Sequence, residues 1–333
     1  MSIISDRSFS KDWETISQII KGNSRFLLTT HVNADPDALG SELSLAEGLR
    51  VIGKEPKILN PTRISRHYAF LDPEGEVKEF ANEDIHTFDA VFILDISRWE
   101  RLGNMAHFIR NYPGIRICID HHPVQGNFAD INLICEDACA SGELVLRLIN
   151  SMNGELTPEI AEPLYASILT DTGAFRFPNT SSQTHAAAAQ LLSTGIRSEV
   201  IYDQIYERCS PARVKLLGLA LSNLQYLHNG RLAWMAISQS MLQENGVDVE
   251  EIEGFVDIAR GIRSVEASLL FIELSQRKVK ISLRSRGSVD VNCFASRFGG
   301  GGHRHASGIM IDEPLHEVVE RVLQQTPALF VQQ

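Results

Sequence analysis

The stretch HVNADPDALGSE, residues 31–42, decides the fold of the first half of this chain. A short apolar run over residues 25–30 precedes it and predicts a buried strand. An amphipathic pattern over residues 38–52 overlaps its end and predicts a helix. The stretch therefore lies where a strand ends and a helix begins, which is where open α/β sheets place their active crevice.

Three side chains of this stretch could enter that crevice within one turn of chain: His31, Asp35 and Asp37. One simple interpretation is that Asp35 or Asp37 only caps the following helix, beside Pro36 in its first turn. A cap accounts for one aspartate, but it does not account for a histidine and two aspartates together. Metal binding therefore stands beside capping as an interpretation of this stretch.

Strand and helix patterns alternate through the first half of the chain. This alternation predicts βαβ units, a mostly parallel Rossmann-like sheet and an α/β fold. The further predicted strands cover residues 56–59, 90–96, 115–120 and 131–134, and the predicted helices cover residues 11–22, 100–111, 141–152, 159–169 and 183–194.

Ionisable residues follow several of these elements. Asp95 ends one strand, Asp120-His121-His122 ends another, and Asp171 follows the helix over residues 159–169. Alone, each could be a loop residue in contact with solvent. Together with the first stretch they predict a cluster of carboxylates at one sheet edge, and such a cluster disfavours ionisation unless a cation lies within it. The pattern therefore favours bound divalent ions.

Length and charge limit the classes of function. A chain of 333 residues suggests about two domains, and the formal net charge of −11 argues against binding a long nucleic acid. It does not argue against a small phosphorylated substrate held by metal ions. No apolar run indicates a signal peptide or a membrane span, and the five cysteines are scattered. We therefore expect a cytoplasmic protein without membrane association.

The second half begins after a helical stretch without a Gly/Ser-rich linker. We predict a metal-binding domain over residues 1–190, a semi-rigid helical connector over residues 191–222 and a smaller α/β domain with a mixed sheet over residues 223–333. Asn229-Gly230 predicts a hairpin turn. Later predicted strands cover residues 233–237, 268–274 and 278–283, and predicted helices cover residues 250–261, 290–297 and 315–325.

Two segments of this half could contact an anion. Residues 277–287 carry five basic residues and no acid, which fits either a charged edge strand or a positive surface for a phosphate. Residues 298–308 contain four consecutive glycines followed by His303 and Arg304. Such a segment can be a flexible linker, or it can present backbone N–H groups to an anion.

These motifs resemble those of the DHH phosphoesterase superfamily, which is named after its Asp-His-His motif. The matching segments are HVNADPDALGS, ILDIS over residues 93–97, IDHHP over residues 119–123 and LTDTGAF over residues 169–175. The glycine-rich segment resembles the GGGGHxxASG motif of the DHH-associated domain of the first type, which binds substrate in this family. The resemblance covers nearly the whole chain.

The resemblance implies a role for each matching residue. His31 and Asp35 would bind one metal ion, Asp37, His121 and Asp171 a second, and Asp95 would bridge both. His122 would contact the phosphate or leaving oxygen and assist proton transfer, while Asp120 would orient a ligand histidine. In the second domain, the substrate would be bound by Arg284, Ser285, Gly301, Gly302 and His303.

The resemblance further implies a two-metal hydrolase that most often uses Mn²⁺, with Mg²⁺ or Co²⁺ as possible substitutes. Its expected substrates are very short RNA, cleaved to mononucleotides, and adenosine 3′,5′-bisphosphate (pAp), which would lose its 3′-phosphate. Long duplexes are not expected, and a homodimer is plausible. The alternatives are a phosphodiesterase for linear products of cyclic dinucleotides, a RecJ-like exonuclease on single-stranded DNA, and a nucleotide-binding protein without catalysis.

Overall fold

The computed structural model describes residues 10–81, 87–96, 98–122, 129–152 and 155–330. Ser97 and Pro123, which end two of the quoted motifs, lie outside these ranges. Contacts divide the chain into two compact units, Met1–Glu207 and Arg208–Gln333. Within the described residues, no helix is long and apolar enough to span a membrane.

The first unit is built on a six-stranded parallel sheet. Its spatial order is β3-β2-β1-β4-β5-β6, so successive strands run outward from β1 on one side and from β4 on the other. The strands are β1 (Arg25–Thr29), β2 (Glu55–Asn60), β3 (Lys78–Glu79), β4 (Ala90–Leu94), β5 (Ile115–Asp120) and β6 (Ile131–Ile134). Because the order reverses between β1 and β4, a crevice opens at their carboxyl ends.

Helices cover this sheet, and α2 lies among the most buried of them. Thirteen of its sixteen residues are buried, so the helix is enclosed on most sides, whereas the sequence predicted an amphipathic helix with one exposed face. The helices are α1 (Ser10–Gly22), α2 (Pro36–Val51), α3 (Met105–Arg110), α4 (Ser141–Ser151), α5 (Pro158–Asp171), α6 (Ser182–Leu192) and α7 (Ser198–Tyr202). The fold confirms the parallel α/β prediction.

The second unit contains a mixed six-stranded sheet in the order β11-β12-β10-β9-β8-β7. Only β8 and β9 pair in parallel, and the other pairs are antiparallel. Its elements are α8 (Pro211–Ser222), β7 (Gln225–Leu227), β8 (Leu232–Ile237), α9 (Gln239–Asn245), α10 (Phe255–Arg260), β9 (Ala267–Ser275), β10 (Lys278–Ser285), α11 (Val291–Ser296), β11 (Gly301–His303), β12 (Ala306–Ile311) and α12 (Leu315–Gln325).

The structure differs from the sequence prediction in several places. A helix over residues 250–261 is interrupted, because Gly254 adopts φ 85° between a 3₁₀ turn and α10. Residues 100–111 likewise divide into a 3₁₀ turn and the short α3. Strand β12 and helix α9 were not predicted, and neither were the short strands β3, β7 and β11, whose two or three residues show too little periodicity to recognise.

The division between the units falls inside the predicted connector. Ile201 and Ile205 belong to the core of the first unit, whereas Leu216 and Ala220 of α8 belong to a core of the second. Each half of that stretch therefore packs with a different sheet. A separate connector over residues 191–222 stays a prediction.

Candidate metal centre

His31 lies two residues after the end of β1 and is almost fully buried. Its Nδ1 lies 2.9 Å from the carbonyl oxygen of Val32, to which it donates a hydrogen bond. A neutral ring that donates through Nδ1 keeps a lone pair on Nε2. That Nε2 is buried, has no hydrogen-bond partner among the described residues, and lies 3.4 Å from Oδ2 of Asp95. An imidazole in this state is ready to bind a cation.

Asp35 acts both as a helix cap and as a member of the cluster. Its Oδ1 accepts hydrogen bonds from the backbone N–H groups of Asp37 and Ala38, each at 3.1 Å, which caps α2. Its Oδ2 lies 3.8 Å from Nε2 of His31. The two interpretations of this residue are therefore compatible, because each uses a different carboxylate oxygen.

Asp37, in the first turn of α2, is held by residues of α4 and α5. Its Oδ2 accepts the backbone N–H of Ser141 at 2.8 Å, and its Oδ1 accepts that of Gly142 at 3.0 Å. Ser167 of α5 donates its hydroxyl to the same Oδ1 at 2.6 Å. Three donors, two of them at the positive end of α4, therefore stabilise the ionised carboxylate and fix its orientation.

Gly142 makes this arrangement possible. A Cβ at this position would lie only 2.0 Å from Oγ of Ser167, so any larger residue would displace the hydroxyl from Asp37. Ser141 has a second role, because its own hydroxyl donates to Oδ1 of Asp95 at 3.0 Å. The sequence analysis did not identify Ser141, Gly142 or Ser167, since serine and glycine near helix starts are too common to indicate a site.

Asp95 lies at the centre of the cluster, at the switch point of the sheet. It is buried and has φ 54°, a costly conformation for a residue other than glycine. Its Oδ2 faces Nε2 of His31, while its Oδ1 lies 3.7 Å from Nε2 of His121. Its two oxygens therefore face different groups of ligands, as a bridging carboxylate requires.

His121 and Asp171 complete the second group. Nδ1 of His121 donates to the carbonyl of Ala138 at 3.3 Å, which turns Nε2 toward the carboxylates. That Nε2 lies 3.5 Å from Oδ2 of Asp37 and 3.6 Å from Oδ2 of Asp171, at the carboxyl end of α5.

Asp120 orients His122, whereas the sequence analysis expected it to orient a ligand histidine. Its Oδ1 accepts Nδ1–H of His122 at 2.7 Å and also the backbone N–H groups of His121 and His122. His121, the predicted ligand, is oriented instead by the backbone carbonyl of Ala138. A carboxylate bonded to Nδ1 of a histidine stabilises the protonated ring, so the pair is suited to proton transfer at Nε2.

The electrostatics of the cluster show that the carboxylates repel one another. Burial and the neighbouring Asp95 raise the pKa of Asp37 to about 7, and burial together with Asp37 and Asp95 raises the pKa of Asp171 well above its usual range. Burial also opposes ionisation of Asp95, but the side chains of His31 and His122 hold its pKa below the usual range. The charge is therefore incompletely balanced by the protein itself.

Burial lowers the pKa of both His121 and His122, but the facing carboxylates outweigh it and raise each pKa above the ordinary value. Without a cation, protons thus take up part of the negative charge.

The residues present fit divalent ions. Ligand atoms of His31, Asp35 and Asp95 lie within 4.8 Å of one another, as do those of Asp37, His121 and Asp171. Each group combines carboxylate oxygens with an imidazole nitrogen, a donor set that suits Mn²⁺ and related ions. The structure thus brings all six predicted ligands together.

The predicted substrate residues of the second unit have partners of their own. Nε of Arg284 lies 3.4 Å from Oδ2 of Asp257. The hydroxyl of the buried Ser285 donates to the carbonyl of Val289 at 2.8 Å and lies 2.9 Å from Nδ1 of His305. Arg284 therefore has a charged partner already, and the Ser285 hydroxyl has a backbone acceptor.

Gly301, Gly302 and His303 form the edge strand β11, paired antiparallel with β12. The preceding glycines do not present open N–H groups, because those of Gly299 and Gly300 donate to the carbonyls of the last two residues of α11. Gly302 has φ 144°, and a Cβ there would lie 2.4 Å from the carbonyl oxygen of Ala306. The segment is thus an ordered hairpin, and its part in substrate binding stays a prediction.

Comparison with known proteins places both units in one family. The model of the DHH family, N-terminal domain, matches residues 25–168, and that of the DHHA1 domain matches residues 232–330. The chain is 32% identical over 94% of its length to the bifunctional oligoribonuclease and PAP phosphatase NrnA of Thermus thermophilus, covering 93% of that protein. It is 30% identical to the NrnA of Bacillus subtilis, over 86% of this chain and 88% of that protein.

A crystal structure of an exopolyphosphatase-related protein from Bacteroides fragilis has the same fold. It superposes with a TM-score of 0.89 at 27% identity and covers 96% of this chain and 97% of its own. The exonuclease RecJ bound to manganese shares the fold at 13% identity, with a TM-score of 0.52 over 99% of this chain and 97% of that one. With its ligand cluster and these relatives, the chain belongs to the DHH family of phosphoesterases.

Proposed function

We propose that this protein is a manganese-dependent phosphoesterase that hydrolyses very short oligoribonucleotides to mononucleotides and removes the 3′-phosphate of pAp. Two curated relatives covering most of this chain are named as oligoribonucleases and PAP phosphatases. One observation within the chain carries the proposal: six carboxylate and imidazole side chains from separate strands and helices meet at the switch point of the first sheet.

We assign the ligands by their contacts. His31 and Asp35 would hold one ion, and Asp37, His121 and Asp171 the other, with the oxygens of Asp95 divided between them. When bound, two such ions lower the pKa of a water and neutralise charge on the phosphoryl oxygens. The donors from Ser141, Gly142 and Ser167 favour the ionised form of Asp37 and fix its orientation.

His122 is the residue that we propose moves a proton. Its Nδ1 is held by Asp120, so Nε2 is the nitrogen that exchanges a proton with the substrate or the leaving oxygen. The raised pKa of His122 favours a ring that is protonated near neutral pH and can act as an acid. Asp120 does not need to leave its position, since two backbone N–H groups also hold it.

Substrate recognition is assigned to the second unit, at Arg284, Ser285, Gly301, Gly302 and His303. Arg284 would exchange or share its contact with Asp257 when it binds a phosphate. A cytoplasmic location is part of the proposal and agrees with five free cysteines, because disulfides are rare in that compartment. A homodimer is proposed from family resemblance, and sedimentation of the purified chain tests it.

The test is hydrolysis of four substrates by the metal-free protein after addition of Mn²⁺ or EDTA. They are a 5′-labelled RNA dinucleotide, a pentanucleotide, a long RNA and pAp. The proposal predicts Mn²⁺-dependent release of mononucleotides from the two short RNAs and of phosphate from pAp. Preference for the long RNA would instead indicate a processive exonuclease, and no reaction with any of the four would contradict the proposal.

A further inference from the structure

Glu42 is a buried carboxyl group that the proposed mechanism does not use. It lies on α2, five residues after Asp37, and is completely buried. Its Oε1 accepts a hydrogen bond from Nδ2 of Asn60 at 2.7 Å, while its Oε2 is buried without a hydrogen-bond partner in the described parts of the chain. Burying such a group is costly, so its presence calls for a physical explanation.

The environment of Glu42 favours the neutral acid. Burial raises its pKa well above the usual range; the hydrogen bond from Asn60 opposes this shift, and the nearby Asp72 adds to it. A neutral carboxyl group costs less to bury than a carboxylate and still accepts the hydrogen bond from Asn60. The side chain therefore acts in the core as a fixed acceptor.

Asn60 connects Glu42 to the neighbouring strand through a second hydrogen bond. It is the last residue of β2 and is fully buried, and its Oδ1 accepts the backbone N–H of Thr30 at 3.3 Å. The hydroxyl of Thr30 in turn donates to the carbonyl of Leu94 at 2.7 Å. Three successive hydrogen bonds thus join α2 and the ends of β2, β1 and β4.

These bonds lie just beyond the end of the regular sheet. The last ladder pair between β1 and β4 is Thr29 with Ile93, so the bond between Thr30 and Leu94 extends their association by one residue. The next residues are His31 and Asp95, whose Nε2 and Oδ2 lie 3.4 Å apart. Asp95 also has the costly φ of 54°, which the surrounding structure must hold.

We propose that Glu42 and Asn60 are positioning residues for the ion site of His31, Asp35 and Asp95, acting through Thr30 and Leu94. The inference rests on the proposed function only in requiring that this cluster binds a divalent ion. Groups that orient metal ligands typically change metal affinity by about 10- to 100-fold when they are replaced. Here the orienting contacts reach the backbone beside His31, at Thr30, and beside Asp95, at Leu94.

The experiment is a titration of metal-free protein with Mn²⁺ without substrate, followed by the electron paramagnetic resonance of free Mn²⁺. The variants are Glu42→Leu and Asn60→Leu, which fill the space but break the network, and Glu42→Gln, which keeps an acceptor for Asn60. Ser44→Ala is the matched control. Ser44 is also buried on α2, but its hydroxyl donates to the carbonyl of Ile160, away from the strand ends.

We expect Glu42→Leu and Asn60→Leu to weaken binding of one of two ions by about 10-fold or more. Glu42→Gln should bind close to the parent chain, and Ser44→Ala should bind like the parent even where its unfolding temperature falls. If Glu42→Leu does not fold, Asn60→Leu carries the test.

Parent-like Mn²⁺ affinity in both leucine variants, with only a lower unfolding temperature, would show a structural role and overturn the inference. A parent chain that binds no Mn²⁺ would overturn the inference and the metal site together. If the parent binds Mn²⁺ but leaves a dinucleotide and pAp intact, only the proposed substrates fail. The affinities of the variants then still decide the role of Glu42.

Discussion

Two regions of this chain carry the motifs of its family. They differ in how far the protein itself provides partners for their charged and hydrogen-bonding groups. At the carboxyl edge of the first sheet, carboxylates face one another and the pKa values of Asp37 and Asp171 are raised. In the second unit, Arg284 is paired with Asp257 and the Ser285 hydroxyl is hydrogen-bonded. The negative charge of the first region is therefore incompletely balanced by the protein, whereas the groups of the second already have partners.

The first region needs a bound cation to balance its charge. The second region only exchanges protein partners for a ligand when the ligand binds. Removing one member of the first region should abolish function, because buried ligands cannot be replaced by water at little cost. Removing one member of the second should weaken binding by a smaller factor. The following predictions test this contrast in order of expected effect.

The largest effect is expected at Asp95. Asp95→Asn keeps the shape of the side chain but removes the charge whose two oxygens face both ligand groups. We expect Mn²⁺-dependent hydrolysis of a dinucleotide to fall by on the order of 10³-fold or more, with loss of Mn²⁺ binding. The control is Asp130→Asn, at a partly exposed carboxylate paired with Arg116. Equal activity of the two variants would show that the charge of Asp95 is not needed for hydrolysis and would contradict its place in the metal centre.

His122 should affect catalysis more than metal binding. His122→Ala removes the ring held by Asp120, and we expect kcat to fall by about 10²- to 10³-fold while Mn²⁺ affinity changes only a few-fold. His107→Ala, at an exposed histidine of α3, is the control. Steady-state kinetics beside a Mn²⁺ titration distinguish the two roles. Loss of Mn²⁺ binding in step with kcat would make His122 a ligand instead.

Arg284 should give a moderate effect on substrate binding. Arg284→Ala removes a charged donor to phosphate, so we expect KM for a dinucleotide to rise by about 10-fold with little change in kcat. Asp257→Asn breaks the same ion pair but keeps the arginine, and it should lower KM or leave it unchanged. The two KM values decide the role. If both variants raise KM equally, the pair is structural and Arg284 does not bind substrate.

Gly302 should give a change in stability with the metal site intact. Gly302→Ala forces a Cβ against the carbonyl of Ala306 at an unfavourable φ, and we expect a loss of about 2 kcal/mol in the stability of the second unit. Gly218→Ala, on α8 with open space around its Cβ position, should instead be neutral or stabilising. Denaturant unfolding measures both, and an unchanged stability of Gly302→Ala would contradict the close approach in the β11–β12 hairpin.

The sequence predicted the parallel sheet and the clustering of the six side chains that we propose as metal ligands, because alternating strands and helices fix where strand ends meet. It did not predict which groups hold those ligands. Ser141, Ser167 and Asn60 are ordinary polar residues whose roles depend on contacts between residues 18 to 130 positions apart, the longest being the bond from Ser167 to Asp37. Long-range side-chain contacts of this kind leave no periodic pattern.

The glycine-rich segment shows a second limit of the sequence, because its composition fits more than one use of glycine. Four glycines suggested a loop with open N–H groups, but Gly299 and Gly300 donate theirs to α11, and Gly300 and Gly302 allow close approach to the backbone of β12. Composition alone does not distinguish the two uses, since both require a residue without a side chain. The partner of Asp120 could not be assigned either, because adjacent histidines offer equivalent ring nitrogens in the sequence.

The central claim is that the charge imbalance at the first sheet marks a site for two divalent ions. Anomalous diffraction at the manganese edge, from crystals soaked in Mn²⁺, tests it most directly. The account predicts two anomalous peaks, one beside His31 and Asp35 and one beside Asp37 and Asp171, with Asp95 between them. No peak in this cluster, or a peak only elsewhere in the chain, would contradict it.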